Sequence, residues 1–201
     1  MKIIVCLIIG YLFGCVQAGY FFSIFVKHDD IRKHGSGNAG TANTIRTYGK
    51  KAGYIVYAID AVKVIIAVLV IWFAVYRGDP DIRFLSMAGG LGAVLGHNFP
   101  FYLHFKGGKG IAATSGLMMT LGAPMIILCL LAFFVPYAVT KYVSVGSLVL
   151  TGLFPLWVAL LYRGQTGMLI IAIIIAVMAW IQHRENIVRL LNGTERGFKK
   201  K

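Results

Sequence analysis

Two glycine-rich segments of the sequence carry groups that could hold a phosphate. The first, residues 34–46, combines three glycines and small hydroxyl residues with Ser36, Asn38, Asn43 and Arg46. Glycine lets backbone N–H groups approach an anion, hydroxyl and amide side chains add donors, and the Arg46 guanidinium adds a planar charged fork. The segment therefore predicts a phosphate-binding loop, with a flexible polar connector as the alternative.

The second segment follows a proline-containing turn and leads directly into an apolar helix. It contains Lys106, Gly107, Gly108 and Lys109. Free N–H groups and the helix dipole at a helix N-terminus favour an anion, so this segment predicts a second phosphate contact. The alternative is that both lysines only follow the positive-inside bias of membrane proteins. The second segment lacks the spacing of a Walker loop. The G-x-G-x-x-G pattern of the first segment has no preceding strand, so no nucleotide-binding fold is predicted.

Two further polar stretches, residues 141–147 and 183–191, lie at the ends of apolar runs. The first contains Ser147. In the second, His183 and Asn186 are three residues apart and would share one face of a helix. Apolar residues in this tail also fit an amphipathic helix in the membrane interface, which is the alternative to a functional site.

The elements that must position these residues are membrane helices. The chain is 58% hydrophobic and only 13% charged, which excludes an ordinary soluble protein. Its apolar residues gather into runs of about 20, the length that crosses a bilayer as a helix. The net charge of +13 lies mostly between these runs and predicts anionic partners, either lipid headgroups or phosphorylated substrates.

The apolar pattern predicts seven transmembrane helices in a single all-α domain covering residues 1–201. The long run from residue 111 to residue 140 contains Gly122-Ala123-Pro124, where a helix should break. Residues 111–140 are then predicted to form one short helix and one full span instead of a single membrane-crossing helix. The predicted spans are Ile3–Val26, Gly53–Val75, Ile82–Leu103, the short Ile111–Leu121, Pro124–Thr140, Val143–Leu161 and Thr166–Ile181.

The distribution of basic residues favours seven spans over six. With the N-terminus outside, fifteen of the twenty basic residues lie on the inner side, four lie outside, and Lys63 lies within a span. Six spans would instead place eight inside and eleven outside. The positive-inside rule therefore predicts an external N-terminus and an internal C-terminus. Within the second span, Asp60 and Lys63 are three residues apart, and we expect them to form a buried ion pair that supports the site.

The residues that are absent narrow the chemistry. None of the five histidines has an acidic residue four or five positions later, so the His-x4-Asp device of acyl-CoA-dependent glycerolipid acyltransferases is missing. The acidic residues form no set with metal-ligand spacing, and no metal or cofactor is expected.

Taken together and in this order, the motifs resemble the bacterial membrane acyltransferase that transfers a fatty acyl group from acyl phosphate to glycerol 3-phosphate. The resemblance covers the whole chain. It rests on Ser36-Gly37-Asn38-Ala39-Gly40 with Asn43 and Arg46, Gly96-His97 with Pro100 and residues 107–110, Lys141-Tyr142-Val143-Ser144, and residues 183–191.

The resemblance implies a site residue set and a reaction. Acylation at the 1-position of glycerol 3-phosphate would give lysophosphatidic acid and inorganic phosphate, at the cytoplasmic face of the bacterial inner membrane. The implied partners are the two substrates and membrane lipid, and no nucleic acid is expected. By position, Ser36, Arg46 and Lys109 would bind phosphate, with Ser147, His183 and Asn186 completing the pocket and Asn38, Asn43 and Lys106 in secondary roles.

Two questions stay open at the level of sequence. The hydroxyl proton of glycerol 3-phosphate could pass to His183 or to a substrate phosphate, and we favour the phosphate. A transporter of organic phosphates would also need basic glycine-rich loops and broken helices. Against a transporter, no inverted repeat is apparent, and Asp60 and Lys63 are the only charged residues well inside the spans. We expect the acyl chain to lie in a groove that opens sideways to the bilayer.

Overall fold

The chain is helical throughout the part that the structure describes. The structure is a computed structural model that describes residues 1–197. These residues form ten α-helices and no β-strand, which confirms the all-α prediction. The last three lysines counted in the C-terminal tail lie outside the described residues. The helices are α1 (Lys2–Gly14), α2 (Ala18–Lys27), α3 (Thr41–Tyr48), α4 (Lys50–Leu69), α5 (Ile82–Asn98), α6 (Ile111–Thr120), α7 (Ala123–Thr140), α8 (Val143–Leu161), α9 (Thr166–Gln182) and α10 (Arg184–Leu191).

Length and composition identify the helices that could cross a membrane. Within the described chain four segments qualify, with mean hydropathies of 1.9 to 2.5: Lys2–Lys27, Lys50–Val75, Ala123–Thr140 and Val143–Leu161. Helices α9 and α10, which are bent by 58°, make a fifth if they count as one span. The protein is therefore a multi-pass membrane protein, and the count of seven spans stays a prediction.

Two of the remaining predicted spans, those that became α5 and α6, are shorter than expected. The span predicted to reach Leu103 ends as a helix at Asn98, because Phe99 precedes Pro100 and a proline disfavours helical conformation in the residue before it. Helix α5 has 17 residues. The predicted break between residues 111 and 140 is confirmed, since α6 ends at Thr120 and α7 begins at Ala123.

The chain divides into two compact units, Met1–Thr120 and the residues from Leu121 onward. In the first unit, glycines bring α1 and α5 into backbone contact. A Cβ at Gly10 would overlap the carbonyl oxygen of Gly89, and one at Gly96 would overlap that of Tyr11. Small residues at such contacts allow the close packing that associates helices in a bilayer. The single-domain prediction stays a prediction.

The first predicted span is broken between α1 and α2, and side chains from distant positions bind the carbonyl oxygens at the break. Tyr102 Oη donates to the carbonyl oxygen of Cys15 at 2.6 Å, and Lys63 Nζ donates to that of Val16 at 2.6 Å. Gln17 Nε2 reaches across to a carbonyl oxygen on α5 at 2.9 Å. A broken helix needs such donors because the bilayer core offers no water to its carbonyl groups.

In the second unit, α8 packs against both α7 and α9, and α10 contacts α9. Gly146 lets the α7 backbone approach α8, since a Cβ there would press on the carbonyl oxygen of Phe133. The start of α8 and the chain from α9 into α10 carry the polar residues of this unit. The helices therefore bring one group of the predicted site residues together near the start of α8.

Candidate active site

The first glycine-rich segment is held in shape by Asn43, which is only 1% exposed. Its Oδ1 accepts the backbone N–H of Ser36 at 2.9 Å. Its Nδ2 donates to the carbonyl oxygens of Ile31 and His34 at 3.2 and 2.9 Å. Gly35 lies against this amide with φ 59°, and a Cβ there would overlap Asn43 Oδ1. Asn43 therefore shapes the loop backbone, and its contact with substrate stays a prediction.

Helix α3 places Arg46 next to this loop. It lies three positions after Asn43, so the two side chains project from the same side of the helix. Arg46 is half-buried, whereas Ser36 is exposed at the tip of the loop. The buried Asn43 amide thus fixes the loop, and Arg46 follows it on the same helix.

The second glycine-rich segment turns back against the end of α5. The backbone N–H of Gly107 donates to the carbonyl oxygen of Asn98 at 3.0 Å, and that of Gly108 donates to the carbonyl oxygen of His97 at 3.0 Å. A Cβ at either glycine would overlap α5 atoms, including His97 Nε2 in the case of Gly108. Glycine is therefore required at both positions by this close approach.

The two lysines of this segment lie just before α6. Lys106 is exposed and Lys109 is half-buried. Gly110, with φ 82°, turns the chain so that α6 begins at Ile111. Lys109 is therefore placed beside the positive end of a helix dipole, as the sequence predicted.

Asn38 joins the two glycine-rich segments. Its Nδ2 donates to the carbonyl oxygen of Gly107 at 3.2 Å, and its Oδ1 accepts the backbone N–H of Gly40 at 3.0 Å. The predicted phosphate-binding residues of both loops are therefore brought together within the first unit. We refer to these eight residues as the phosphate cluster: Ser36, Asn38, Asn43, Arg46, Lys106, Gly107, Gly108 and Lys109.

A fourth cation of this region, Arg32, has a different role. Arg32 forms an ion pair with Asp30 at 2.7 Å, and the guanidinium also lies over the ring of Tyr20, 4.9 Å from its centroid. The hydrogen bonds from Arg32 lower the pKa of Asp30, and the same partner raises the pKa of Arg32. Arg32 therefore supports the connector between α2 and α3 and provides a matched comparison for Arg46.

In the second unit, Glu195 connects three polar residues. Its Oε1 accepts Ser144 Oγ–H at 3.0 Å and Asn186 Nδ2–H at 2.7 Å, and its Oε2 accepts Arg189 Nε–H at 3.0 Å. Burial raises the pKa of this carboxyl, but the three hydrogen bonds outweigh burial and hold the pKa below its ordinary value. The chain after α10 is thereby fastened to the start of α8.

Ser147 and His183 are also buried in this unit. Ser147 Oγ donates to the carbonyl oxygen of Val143 at 2.9 Å, one turn earlier on α8. His183 Nδ1 lies 2.7 Å from the carbonyl oxygen of Ala179. Because a carbonyl can only accept, Nδ1 carries the proton, and a neutral ring has its lone pair at Nε2.

An open apolar groove of about 420 Å³ lies along α8 in the same unit. The ring of Trp180 lies against Gly152, about 3.5 Å from where a Cβ would stand. Every lining residue is apolar or glycine: Val145, Leu148, Val149, Gly152, Leu153, Trp180 and Leu190.

The structure thus brings the predicted residues together as two groups, one in each unit. The phosphate cluster lies in the first unit, and Ser147, His183 and Asn186 lie in the second. The prediction that all four sequence stretches form one pocket stays a prediction. The predicted ion pair of Asp60 and Lys63 is confirmed, with Nζ and Oδ1 2.8 Å apart.

Sequence reasoning missed the part played by Glu195. The residue follows a Gly-Thr pair after the amphipathic tail and carries no motif of its own. The only signal was that Glu195 is one of two carboxylates, with Glu185, among the basic residues of the tail, a position where an ion pair is favourable.

Comparison with known proteins places these features in a family. Residues 4–193 match the family model described as glycerol-3-phosphate acyltransferase. A glycerol-3-phosphate acyltransferase from Thermoanaerobacter sp. (strain X514) is 42% identical over 196 residues, covering 97% of this chain and 95% of that protein. One from Clostridioides difficile (strain 630) is 38% identical over 193 residues, covering 96% and 94%.

Solved structures agree with the sequence relatives. The crystal structure of PlsY (YgiH), an integral membrane glycerol 3-phosphate acyltransferase, in its glycerol 3-phosphate form matches with a TM-score of 0.86 at 31% identity. Its lysophosphatidic acid form matches with a TM-score of 0.84 at 30% identity. Each match covers 99% of this chain and 96% of the other. The chain belongs to the glycerol-3-phosphate acyltransferase family and is an acyltransferase of the membrane.

Proposed function

We propose that the chain transfers a fatty acyl group from acyl phosphate to the 1-position of glycerol 3-phosphate, releasing lysophosphatidic acid and inorganic phosphate. The observation that carries the proposal is the joining of the two glycine-rich loops by Asn38. Arg46, Lys109 and the N-terminus of α6 belong to the loops and helices of the same unit, which supports a site for a phosphoryl group among them. The glycerol 3-phosphate and lysophosphatidic acid forms of the solved relative support the acceptor and the product.

The chemistry of an acyl phosphate agrees with the residues present. A mixed anhydride is already activated, so the protein needs no nucleophile of its own and must instead align two anionic molecules. The C1 hydroxyl oxygen of glycerol 3-phosphate bonds to the acyl carbon, the bond from that carbon to the phosphate oxygen breaks, and inorganic phosphate leaves. Cationic groups of the phosphate cluster offset the repulsion between the substrates and stabilise the departing phosphate.

The hydroxyl proton passes, in our proposal, to a phosphate oxygen of the substrates. A phosphate with its second pKa near neutrality can accept it. His183 is the alternative acceptor, and the Nδ1–H tautomer supports this alternative because Nε2 then offers a lone pair. Ser147 and Asn186 are proposed to act with His183 in the reaction, as the family resemblance implies.

The acyl chain is proposed to lie in the apolar groove along α8. The walls of the groove carry no charged group, and a fatty chain gains about 0.8 kcal/mol for each buried CH₂. Val145 and Leu190 line the groove. Val145 follows Ser144 in the chain and Leu190 follows Arg189, and both of these preceding residues donate to Glu195. The reactive end of the chain would then lie near the polar residues of this unit.

The orientation is proposed from charge. Fifteen basic residues would lie inside, with the N-terminus outside and the phosphate cluster facing the cytoplasm of a bacterial inner membrane.

Turnover in detergent tests the proposed donor. Purified protein given acyl phosphate and glycerol 3-phosphate should release inorganic phosphate together with lysophosphatidic acid, whereas a transporter would release neither. Arg46→Ala should reduce the rate by at least about tenfold, because it removes a charged hydrogen-bonding partner. Arg32→Ala, which removes a neighbouring cation already paired with Asp30, should retain most of the rate. Absence of phosphate release from the native protein would overturn the proposal.

A further inference from the structure

Three buried polar side chains of the first unit form a cluster outside the residues assigned to the reaction. Asp60, Lys63 and His97 are 1%, 5% and 2% exposed. Lys63 Nζ lies 2.8 Å from Asp60 Oδ1 and 2.9 Å from His97 Nδ1, and it donates to the carbonyl oxygen of Val16 at 2.6 Å. The two helices α4 and α5 are thereby connected at the level where the second glycine-rich loop leaves α5.

The stability of the fold does not by itself account for this cluster. Moving a charged group from water into the interior of a protein costs free energy. Replacing a buried ion pair by apolar residues of similar volume is therefore often neutral or stabilising. The third member of the cluster suggests a different role, because His97 is the residue that touches the loop.

The donors of Lys63 define the protonation of His97. An ammonium group has three N–H donors and no acceptor. Here they face Asp60 Oδ1, the Val16 carbonyl and His97 Nδ1, so a charged Lys63 requires a lone pair at Nδ1. Asp60 Oδ1 lies farther from Nδ1, at 3.5 Å, than the 2.9 Å that separates Nδ1 from Lys63 Nζ. The ring is then neutral and carries its proton on Nε2.

The Nε2 side of the ring lies under the loop. A Cβ added to Gly108 would overlap His97 Nε2, so the glycine backbone rests directly on the ring edge. The carbonyl oxygen of the same histidine accepts the Gly108 N–H at 3.0 Å and Gln17 Nε2–H at 2.9 Å. His97 therefore holds Gly108 from two directions, and Lys109 is the next residue along the chain.

We infer that Asp60, Lys63 and His97 form a positioning device for the phosphate cluster, in which the ion pair fixes His97 as the Nε2–H tautomer and His97 sets the shape of the loop at Gly108. The inference rests on the proposed phosphate-binding role of that loop. The three residues are positioning residues, since they act on substrate through the loop backbone.

A purely structural role is the competing explanation, because Lys63 also binds the broken first span through Val16. Two variants separate the explanations. His97→Asn keeps an acceptor near Nδ1 for Lys63 but removes the ring edge below Gly108. The double variant Asp60→Asn with Lys63→Met removes both charges together, so that no unpaired buried charge remains. Ser86→Ala is the control, since Ser86 is buried on the same helix about 16 Å before His97.

Kinetics provide the first readout. We expect His97→Asn to keep a thermal midpoint near that of the native protein while the KM for one or both phosphate substrates rises about tenfold, with a smaller change in kcat. The double variant should show the same rise in KM together with a lower thermal midpoint, because Lys63→Met also removes the donor to the Val16 carbonyl. His97→Gln, whose amide can again donate at the position of Nε2, should recover part of the loss. Unchanged KM values in a folded His97→Asn protein, or equal changes in Ser86→Ala, would overturn the inference.

Nuclear magnetic resonance provides a readout that does not depend on activity. In protein labelled with ¹⁵N-histidine, the His97 ring, assigned by its loss in His97→Asn, should show a protonated Nε2 and an unprotonated Nδ1 at neutral pH. The double variant should abolish this preference. A ring protonated at Nδ1 in the native protein would overturn the inference even if the acyl transfer proceeds as proposed, and failure of the transfer assay alone would leave the tautomer result standing.

Discussion

Replacing Glu195 by alanine should strongly destabilise the second unit. Its carboxylate accepts hydrogen bonds from Ser144, Asn186 and Arg189, and its side chain is 3% exposed. A hydrogen bond contributes about 0.5–1.5 kcal/mol, and a bond to a charged group about 1.5–3 kcal/mol. Since Arg189 is 25% exposed and can regain water, its bond adds little, and we count the bonds from Ser144 and Asn186 at about 1.5 kcal/mol each. The expected loss is about 3 kcal/mol.

The buried cysteines offer an assay for this loss. Cys129 on α7 is 2% exposed, whereas Cys6 and Cys15 lie in the first unit. In a Cys6→Ala and Cys15→Ala background, a thiol-reactive fluorophore in detergent reports when Cys129 becomes accessible. For a unit of this size, about 3 kcal/mol corresponds to a fall in Tm of roughly 10–20 °C.

A matched control isolates the contribution of the carboxylate. Glu185 approaches the same guanidinium, 3.8 Å from Arg189, but its side chain is 73% exposed. An exposed pair contributes about 0–1 kcal/mol, so Glu185→Ala should change the Tm by only a few degrees. If Glu195→Ala lowered the Tm no more than Glu185→Ala does, the reasoning from the three hydrogen bonds would be refuted.

Four further predictions follow from the same geometry. His183→Ala should lower turnover at saturating substrate by less than about a hundredfold if a phosphate takes the proton. Single cysteines at Ser36 and Ser147 should both resist a membrane-impermeant thiol reagent added outside cells. Gly152→Leu should fill the apolar groove beside Trp180 and shift turnover toward shorter acyl chains. Because the folded pKa of Glu195 is lowered, its contribution to stability is complete above about pH 4.5 and is lost as the pH falls below this value.

For each of these four predictions, a specific result would contradict it. A loss in His183→Ala well above a hundredfold would make the histidine the base. External labelling of only one of the two cysteines would contradict the proposed orientation, with a cysteine at Arg77 as the external positive control. Unchanged chain selectivity in Gly152→Leu would place the acyl chain elsewhere. For Glu195, the Tm of Glu195→Gln should depend less on pH than that of the native protein. If the Tm of both proteins fell equally steeply as the pH is lowered, the pH effect assigned to Glu195 would be wrong.

Much of the fold follows from local signals in the sequence. Apolar runs of membrane-crossing length predicted the helices, and Gly122-Ala123-Pro124 predicted the break between α6 and α7, since a proline ends the preceding helix and is tolerated only in the first turn of the next one, where Pro124 lies. The same rule applied to Phe99 and Pro100 would have ended α5 at Asn98. The break between α1 and α2 had no such signal, because it is stabilised by Tyr102 and Lys63, which are remote in sequence.

The residue types of the candidate site could be predicted from the sequence, whereas the contacts of these residues could not. The glycine, hydroxyl, amide and cationic residues of the sequence indicated a phosphate-binding loop. The sequence could not show that Asn38 and Asn43 bind loop backbone, because their partners are main-chain groups whose positions depend on the fold. The same reason hid the contact of His97 with Gly108, which requires α5 and the loop to approach within van der Waals distance.

The break in the first span has a consequence for how the chain enters the membrane. The donors that bind the Cys15 and Val16 carbonyls lie 87 and 47 residues later, at Tyr102 and Lys63. A ribosome makes the N-terminal residues first, so neither donor exists when the first span is synthesised. Since unbound carbonyls are costly in lipid, the nascent segment is better accommodated as an unbroken helix. Its break is therefore completed later in biogenesis, once Tyr102 has been synthesised.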